Sequence, residues 1–342
     1  MIERILPGRL AGSLRVPGSK SHTIRALLIA TTAEGTSVIR APLYSADTRS
    51  CVAACRAFGA KIHQAPDAIT VHGLGGLPRP PAEAIDVGNS GTTLYLAAGM
   101  AALAPGSTVF TGDEQIKNRP IGPLLDSLQD LGARVEYLEQ PGFPPFRITG
   151  PITGGTTSIE CPTSQYLSSL LLALPLTPAA GGDGDGAVGS RDRDRGAAAS
   201  SVSHIHVPLL NEKPYIEITL SWLAEQGVYP EYNGWEDWYL PGGRHYTAFE
   251  REIPGDFSSA SFFLCAAAMT GSRLRLEGLD MQDPQGDKAV VEILQRMGCA
   301  VEVEPFAVII SGPGHPGCPA HRLHGGEFDL NAIPDALPAL AA

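Results

Sequence analysis

The sequence predicts an α/β fold in two domains, and three observations carry that prediction. First, an amphipathic helix running into a glycine and then a β-branched strand start recurs four times along the chain. Second, a separate series of helices, each opened by a small polar residue, is apolar on nearly all faces and is expected to be buried. Third, 342 residues of which 43% are apolar exceed one ordinary core, on a prior of roughly 150 residues per domain.

The repeated pattern reads Cys55-Arg56-Ala57-Phe58-Gly59-Ala60-Lys61-Ile62, Leu128-Gln129-Asp130-Leu131-Gly132-Ala133-Arg134-Val135, Leu223-Ala224-Glu225-Gln226-Gly227-Val228 and Leu294-Gln295-Arg296-Met297-Gly298-Cys299-Ala300-Val301. Each glycine stands where a helix end places a residue at positive φ. The glycines lie 73, 95 and 71 residues apart. The long interval contains Gly181–Gly186 and the alternating charges Arg191–Arg195, a low-complexity stretch with nothing to bury. Residues 179–203 are therefore expected to be a flexible surface insertion, and without it the period is about 70 residues.

The buried helices are expected after Ser21 (Arg25–Ala30), Ser90 (Leu94–Ala98), Ser164 (Leu167–Leu172), Ser258 (Phe262–Ala266) and Asn331 (Ala336–Leu340). Their N-termini would present unpaired N–H groups and the positive end of the helix dipole, so several ends converging on one cleft would bind anions. Five such starts but only four amphipathic followers are present, and the fifth unit stops at Ala342. Two equal domains of three units would need about 6 × 70 residues, so a truncated chain is expected.

Lys and Arg number 25 against 36 Asp and Glu, a net charge of −11 that argues against general affinity for nucleic acid or an anionic membrane. The six cysteines form neither a CxxC pair nor a zinc-ligand spacing, and a reduced cytoplasmic setting is expected. No apolar secretion signal opens the chain, and no uncharged apolar run of about 18 residues follows. His22, His204 and His206, and His321 and His324 have no metal-like third ligand in view, so no metal site is expected.

Two distant segments carry the chemistry. Gly18-Ser19-Lys20-Ser21-His22-Thr23-Ile24-Arg25 is a basic, hydroxyl-rich helix start, and Asp329-Leu330-Asn331-Ala332-Ile333-Pro334-Asp335 brings carboxylates. Lys20 could bridge a phosphate and a carboxylate as a point charge with three donors. Ser21 and Arg25 fall four apart on one helix face, and an arginine in an otherwise apolar helix needs a partner. Gly91 in Asn89-Ser90-Gly91-Thr92 lets backbone N–H groups approach an anion closely. Arg119 precedes Pro120, which suits the first position of a helix over Ile121–Leu131. Thr163-Ser164-Gln165 offers two hydroxyls and an amide at another helix start.

With these motifs in this order, together with Lys213-Pro214-Tyr215-Ile216, the chain resembles the 5-enolpyruvylshikimate-3-phosphate synthase family over nearly its whole length, the insertion apart. The resemblance implies two domains, each of three βαβαββ units, closing on the substrates as an inside-out α/β barrel, the last units being incomplete here. The first domain would be 1–19 with 252–342, and the second 20–251. The implied reaction moves the enolpyruvyl group of phosphoenolpyruvate onto the 5-hydroxyl of shikimate 3-phosphate and releases phosphate through a tetrahedral adduct. It uses no metal, cofactor or covalent enzyme intermediate, and a cytoplasmic monomer acting on small molecules in the shikimate pathway is implied.

By the same resemblance, shikimate 3-phosphate would be held by Lys20, Ser21, Arg25, Thr163, Ser164, Gln165 and Tyr215, with Tyr215 stacking under the ring. Phosphoenolpyruvate would be held by Lys20, Gly91, Arg119 and Gln165. Asp329 would take the 5-hydroxyl proton, Lys20 would share the catalytic role, and Asp335 would be structural. Two positions depart from the family pattern. Tyr95 lies near the place of a usual arginine, which bears on local packing, and Glu212 stands where a serine normally contacts the shikimate phosphate, a repulsive arrangement unless a neighbour such as Lys213 neutralises it.

The basic segment that follows the aspartate motif in the family is not in this sequence, and weak or no turnover by residues 1–342 is expected. That leaves a shikimate 3-phosphate binder without catalysis as an alternative. A UDP-N-acetylglucosamine enolpyruvyltransferase is a second alternative, disfavoured because the loop Thr111–Asn118 has no cysteine.

Overall fold

The computed structural model describes residues 8–179 and 202–342. In chain order the elements are β1 (Ala11–Arg15), α1 (Lys20–Thr32), β2 (Thr36–Arg40), α2 (Ala46–Ala57), β3 (Lys61–Gln64), β4 (Ala68–His72), β5 (Ile85–Asp86), α3 (Gly91–Leu103) and β6 (Ser107–Thr111). There follow α4 (Gly122–Asp130), β7 (Arg134–Tyr137), β8 (Phe146–Thr149), β9 (Thr156–Cys161), α5 (Gln165–Ala173), β10 (Val202–Leu210), α6 (Lys213–Glu225), β11 (Glu231–Asn233) and β12 (Asp237–Pro241). The last are β13 (Glu250–Glu252), α7 (Phe257–Thr270), β14 (Arg273–Glu277), α8 (Ala289–Arg296), β15 (Ala300–Glu304), β16 (Ala307–Ser311) and α9 (Leu337–Ala341). Most of the 179–203 insertion lies outside the described residues, but Val202 and Ser203 belong to β10 rather than to the insertion.

Four sheets share one plan among the described residues: β13-β2-β4-β3, β5-β6-β8-β7, β9-β10-β12-β11 and β1-β14-β16-β15. In each, a parallel pair is followed by two antiparallel neighbours. The parallel pairs need crossovers, and the fully apolar helices supply them, as α3 does between β5 and β6 and α5 between β9 and β10. The helix-closing glycines 59, 132, 227 and 298 all adopt positive φ, and the strand that follows each starts within a few residues.

Two of the units have exchanged their first strands. β1 pairs with β14, Ala11 facing Arg273, although the chain next forms α1; β13 pairs with β2, Glu250 facing Val38, although the chain next forms α7. The two crossing segments touch at an isolated bridge between Gly18 and Gly255. One hydrophobic cluster gathers residues from Ile24 to Ile253, and a second gathers Val16 with residues from Phe257 to Ala339.

In the larger cluster α1, α3 and α5 are buried along almost their whole length. Helices α3 and α5 approach closely because Gly99 has no side chain: its N–H donates to Ser169 Oγ at 3.1 Å, and that hydroxyl donates to the Tyr95 carbonyl at 2.7 Å. The expectation of full burial fails for α7, which leaves Phe262 57%, Phe263 39% and Met269 56% exposed. The described residues give α7 only one long helical neighbour, α8, beside its own sheet and the short α9. The last expected helix is also shorter than its pattern: a single tight turn, Pro334–Ala336, leads into a five-residue α9 in which Ala339 is buried. Two helix starts shift as well: the residue before α1 is Ser19 rather than Ser21 and that before α7 is Asp256 rather than Ser258, and neither side chain makes a capping hydrogen bond.

A Cβ at Gly99 would lie 2.5 Å from Ser169 Oγ and 2.7 Å from its carbonyl oxygen, so the helices must separate to admit it. Gly99→Ala is expected to lower unfolding free energy by about 1–3 kcal/mol, read as a fall in the urea midpoint at unchanged slope. An unchanged midpoint would show that the helix pair is not held by this contact.

Candidate active site

The starts of α1, α3 and α5 open on one cavity of about 240 Å³, which is also lined by Pro334 and Asp335 from the segment that carries Ile333 and Ala336 of the second cluster. Helix α1 contributes Lys20, Ser21 and Arg25, the start of α3 contributes Asn89, Gly91 and Thr92, and the start of α5 contributes Ser164 and Gln165. Arg119 comes from the loop before α4, Glu212 and Tyr215 from the start of α6, Asp47 from α2, and Pro334 and Asp335 from the turn before α9. Three cationic side chains (Lys20, Arg25 and Arg119) thus face three carboxylates (Asp47, Glu212 and Asp335). With charges balanced, N–H groups at helix starts decide how strongly the cavity favours anions.

Arg25 is 1% exposed and is already well satisfied by neutral acceptors. Its Nε donates to Thr219 Oγ1 at 2.8 Å, Nη1 to the Ser21 carbonyl at 3.0 Å, and Nη2 to Ser168 Oγ and the Tyr215 carbonyl, both at 3.1 Å. Those four bonds leave one Nη1 hydrogen of the five guanidinium donors for the cavity. Burial brings the Arg25 pKa down to about 10, so it remains charged at neutral pH. The arginine inside an apolar helix therefore finds its partners in the protein, not only in a ligand.

Arg119 lies directly over the start of α3, and a Cβ at Gly91 would sit 2.6 Å from its Nη1. Its backbone is fixed by the next residue: the Pro120 carbonyl accepts from Tyr95 OH at 3.2 Å and Tyr166 OH at 2.7 Å, two rings packed edge to face. Tyr95 thus packs well in place of an arginine. Pro120 itself precedes the helix; α4 begins at Gly122 and takes Pro123 in its first turn.

Of the α5 residues, Ser164 and Gln165 line the cavity, whereas Thr163 stands behind them, accepting from Gln165 Nε2 at 3.0 Å. Glu212 Oε2 accepts from Ser164 N at 3.1 Å, Ser164 Oγ at 2.9 Å and Thr163 Oγ1 at 3.3 Å. Lys213 does not neutralise it; its Nζ lies 5.7 Å from the centre of the Trp235 ring.

The two aspartates of the last segment exchange the places expected for them. Asp329 is outside the cavity, where its Oδ1 accepts from Asn331 N at 2.9 Å and its side chain lines a separate groove with Lys288 and Arg296. Asp335 lines the cavity, because Ile333 and Ala336, 2% and 0% exposed, anchor the turn between them. Both were visible in the sequence, but only the buried spacing of Ile333 and Ala336 tells which one turns inward.

Behind Asp335 lies a carboxylate that sequence reasoning missed. Asp287, 2% exposed, accepts from Ser258 Oγ at 3.0 Å and Tyr215 OH at 3.1 Å, and the same hydroxyl is 3.4 Å from Asp335 Oδ2. Its other oxygen has no hydrogen-bond partner among the described residues. Burial first, then the charges of Asp335 and Asp256, push the Asp287 carboxyl up to about 6 against the bonds from Ser258 and Tyr215. Burial first, then the charges of Asp287 and Asp335, hold the Tyr215 hydroxyl well above its ordinary pKa.

Two of the histidines share one carboxylate. His204 and His206 both reach Asp237 Oδ1, at 2.9 and 3.1 Å, and no cluster of metal-ligating side chains occurs among the described residues. All six cysteines are free and buried, and no described helix is long and apolar enough to cross a membrane.

Repeated β-α-β-α-β-β units in two clusters, with helix starts turned to a shared cleft, define the two-domain fold of the enolpyruvyl transferases. The profile of EPSP synthase (3-phosphoshikimate 1-carboxyvinyltransferase) matches residues 6–181 and 196–342. The chain is 45% identical over 341 residues to a 3-phosphoshikimate 1-carboxyvinyltransferase of Acetivibrio thermocellus, covering 100% of this chain and 74% of that protein. It is 44% identical to the protein of that name in Ruminiclostridium cellulolyticum, with the same coverage. A solved EPSP synthase from Acinetobacter baumannii superposes with a TM-score of 0.75 at 27% identity, over 98% of this chain and 72% of that one. The chain belongs to the EPSP synthase family.

Asp287 carries a pH prediction. Its folded pKa of about 6 is above the ordinary 3.8, so its contribution is most favourable below about pH 4 and is lost as pH rises through 6. Relative to Asp287→Asn, the parent should gain up to about 3 kcal/mol of unfolding free energy between pH 7 and pH 4. Parallel pH profiles for the two proteins would show that Asp287 titrates normally.

Proposed function

We propose that the cavity binds shikimate 3-phosphate and phosphoenolpyruvate together and transfers the enolpyruvyl group to the 5-hydroxyl, with release of phosphate. The observation that supports this most directly is the convergence of Lys20, Arg119 and Asp335 on one cavity opened by three helix starts. Lys20 and Arg119, with the N–H groups at Gly91 and Thr92, form the anionic donor's side. Ser164 and Gln165, Tyr215, Ser21 and the remaining hydrogen of Arg25 form the acceptor's side, with Thr163 supporting Gln165 from behind. Asp335 takes the role that the sequence suggested for Asp329: it is one of the three carboxylates that line the cavity, in the same lining as Lys20, where it can accept the hydroxyl proton. Tyr215 OH, shared between Asp287 and Asp335, can donate to only one of them at a time, so it couples the proton on one carboxyl to the charge on the other.

The reading divides the chain into a body of 1–19 with 252–342 and a body of 20–251, the cavity lying between them. It describes a cytoplasmic monomer working on small molecules, in keeping with a net charge of −11 that suits no polyanion.

Calorimetric titration with shikimate 3-phosphate, using a UDP-sugar for comparison, tests the substrate class. Binding of the first alone is expected, and binding of the UDP-sugar instead would overturn it. Phosphate release measured beside binding separates an enzyme from a binder without catalysis. The two aspartates are told apart by substitution: Asp335→Asn should weaken shikimate 3-phosphate binding by about tenfold or more, from a lost charge-assisted hydrogen bond, and Asp329→Asn should leave it unchanged. The opposite ranking would return the role to Asp329.

A further inference from the structure

One oxygen of Glu212 gathers three donors at the start of α5, while the Gln165 N–H and amide turn to Thr163 Oγ1. The backbone N–H of Ser164, its hydroxyl and the hydroxyl of Thr163 all point at Oε2, at 3.1, 2.9 and 3.3 Å. Each of these donors has a single hydrogen, so none can serve a second anion while the carboxylate stays. A carboxylate and a phosphate about 4 Å apart would also repel by about 4 kcal/mol per pair of unit charges at the effective dielectric near a protein surface. The nearby cation that could relieve this, Lys213, is turned to Trp235.

Glu212 also stands where its backbone is least at ease. It is the residue before α6 and has φ 56° and ψ 41°, a left-handed conformation that a side chain with a Cβ adopts at a cost. The three hydrogen bonds made by its carboxylate offset that cost, so the loop between β10 and α6 is held in place by an acid bound to the helix start of α5.

We infer that Glu212 is an internal competitor for the phosphate of the acceptor substrate: it occupies the phosphate's donors and must swing out before a phosphorylated ligand can seat. The inference rests on the function proposed above, since it takes the start of α5 to be the phosphate's place. It makes Glu212 a specificity-determining residue. A ligand with a phosphate must be anionic and multidentate enough to displace the carboxylate, whereas the same ligand without a phosphate is indifferent to it.

The test compares the parent chain with Glu212→Gln and Glu212→Ser. Glutamine keeps the shape and removes the charge, and serine removes the side chain's reach; near-UV circular dichroism confirms that each is folded. Binding of inorganic phosphate, shikimate and shikimate 3-phosphate is measured by calorimetry, with the amide resonance of Ser164 as a local reporter. Both variants should bind shikimate 3-phosphate about tenfold or more tighter than the parent, the amount expected when a charge-assisted competitor is removed. Inorganic phosphate should shift the Ser164 resonance in the variants at concentrations that leave the parent unmoved, and shikimate should bind all three alike. Equal affinities of parent and variants for both phosphate ligands would overturn the inference. A gain for inorganic phosphate with no binding of either shikimate ligand by any of the three would uphold Glu212 as a competitor and overturn the substrate assignment instead.

Discussion

The exchange of first strands is the constraint on which the rest of the molecule depends. Because β1 belongs to the sheet of β14 and β13 to the sheet of β2, the chain passes twice between two hydrophobic clusters at one point. That point tolerates only glycine. A Cβ at Gly18 would meet the Ala41 carbonyl at 2.3 Å, and one at Gly255 would meet the Gly278 carbonyl at 2.7 Å. Lys20, the first residue of α1, is thereby fixed two positions from the crossing. A buried chain of hydrogen bonds sets the orientation of α1: Trp222 Nε1 donates to His22 Nδ1 at 3.0 Å, so the ring carries its proton on Nε2 and donates to Asp283 Oδ1 at 3.2 Å. Burial, outweighing the pull of Asp283, keeps this histidine below its ordinary pKa and favours the neutral ring that the Trp222 bond requires.

From this frame the cavity obtains its anion affinity with little net charge. The three helix starts aim N–H groups inward, while the most deeply buried cation, Arg25, is bound by serine, threonine and carbonyl oxygens and so stiffens the junction of α1, α5 and α6. Arg119 is positioned from behind by two tyrosine hydroxyls on one carbonyl. Arg25 and Arg119 are thus held by neutral hydrogen bonds, whose geometry does not change with pH near neutrality.

What the sequence made legible was local. A glycine after an amphipathic run is a helix end whatever surrounds it, and all four glycines of the repeat are such ends. Helix starts could be read to within two residues, although only at α3 does the expected hydroxyl, Ser90, make a capping bond, to Thr93 N–H. Which carboxylate turns inward could not be read, because Asp329 and Asp335 are separated by only a turn and the choice rests on Ile333 and Ala336 reaching the core. Asp287 was invisible for the same reason: its partners Ser258, Tyr215 and Asp335 come from three other segments. The partial burial of α7 was hidden too, since an apolar helix has the same pattern whether or not neighbours cover every face.

The strand exchange also has a consequence for biosynthesis. β1 is made well before its partner β14, which follows 262 residues later, Ala11 facing Arg273. At about 5–20 residues per second that is a wait of roughly 13 to 50 seconds with an unpaired strand edge. The other exchanged strand, β13, has no such wait, because β2 is already present when Glu250 emerges. The body from α1 to β13 can therefore complete itself during synthesis while the N-terminal strand stays outside it. β1 itself is short, five residues, interrupted by Gly12, with Leu14 its one large apolar side chain and Arg15 at its end, a composition that keeps a waiting strand from recruiting the wrong neighbour.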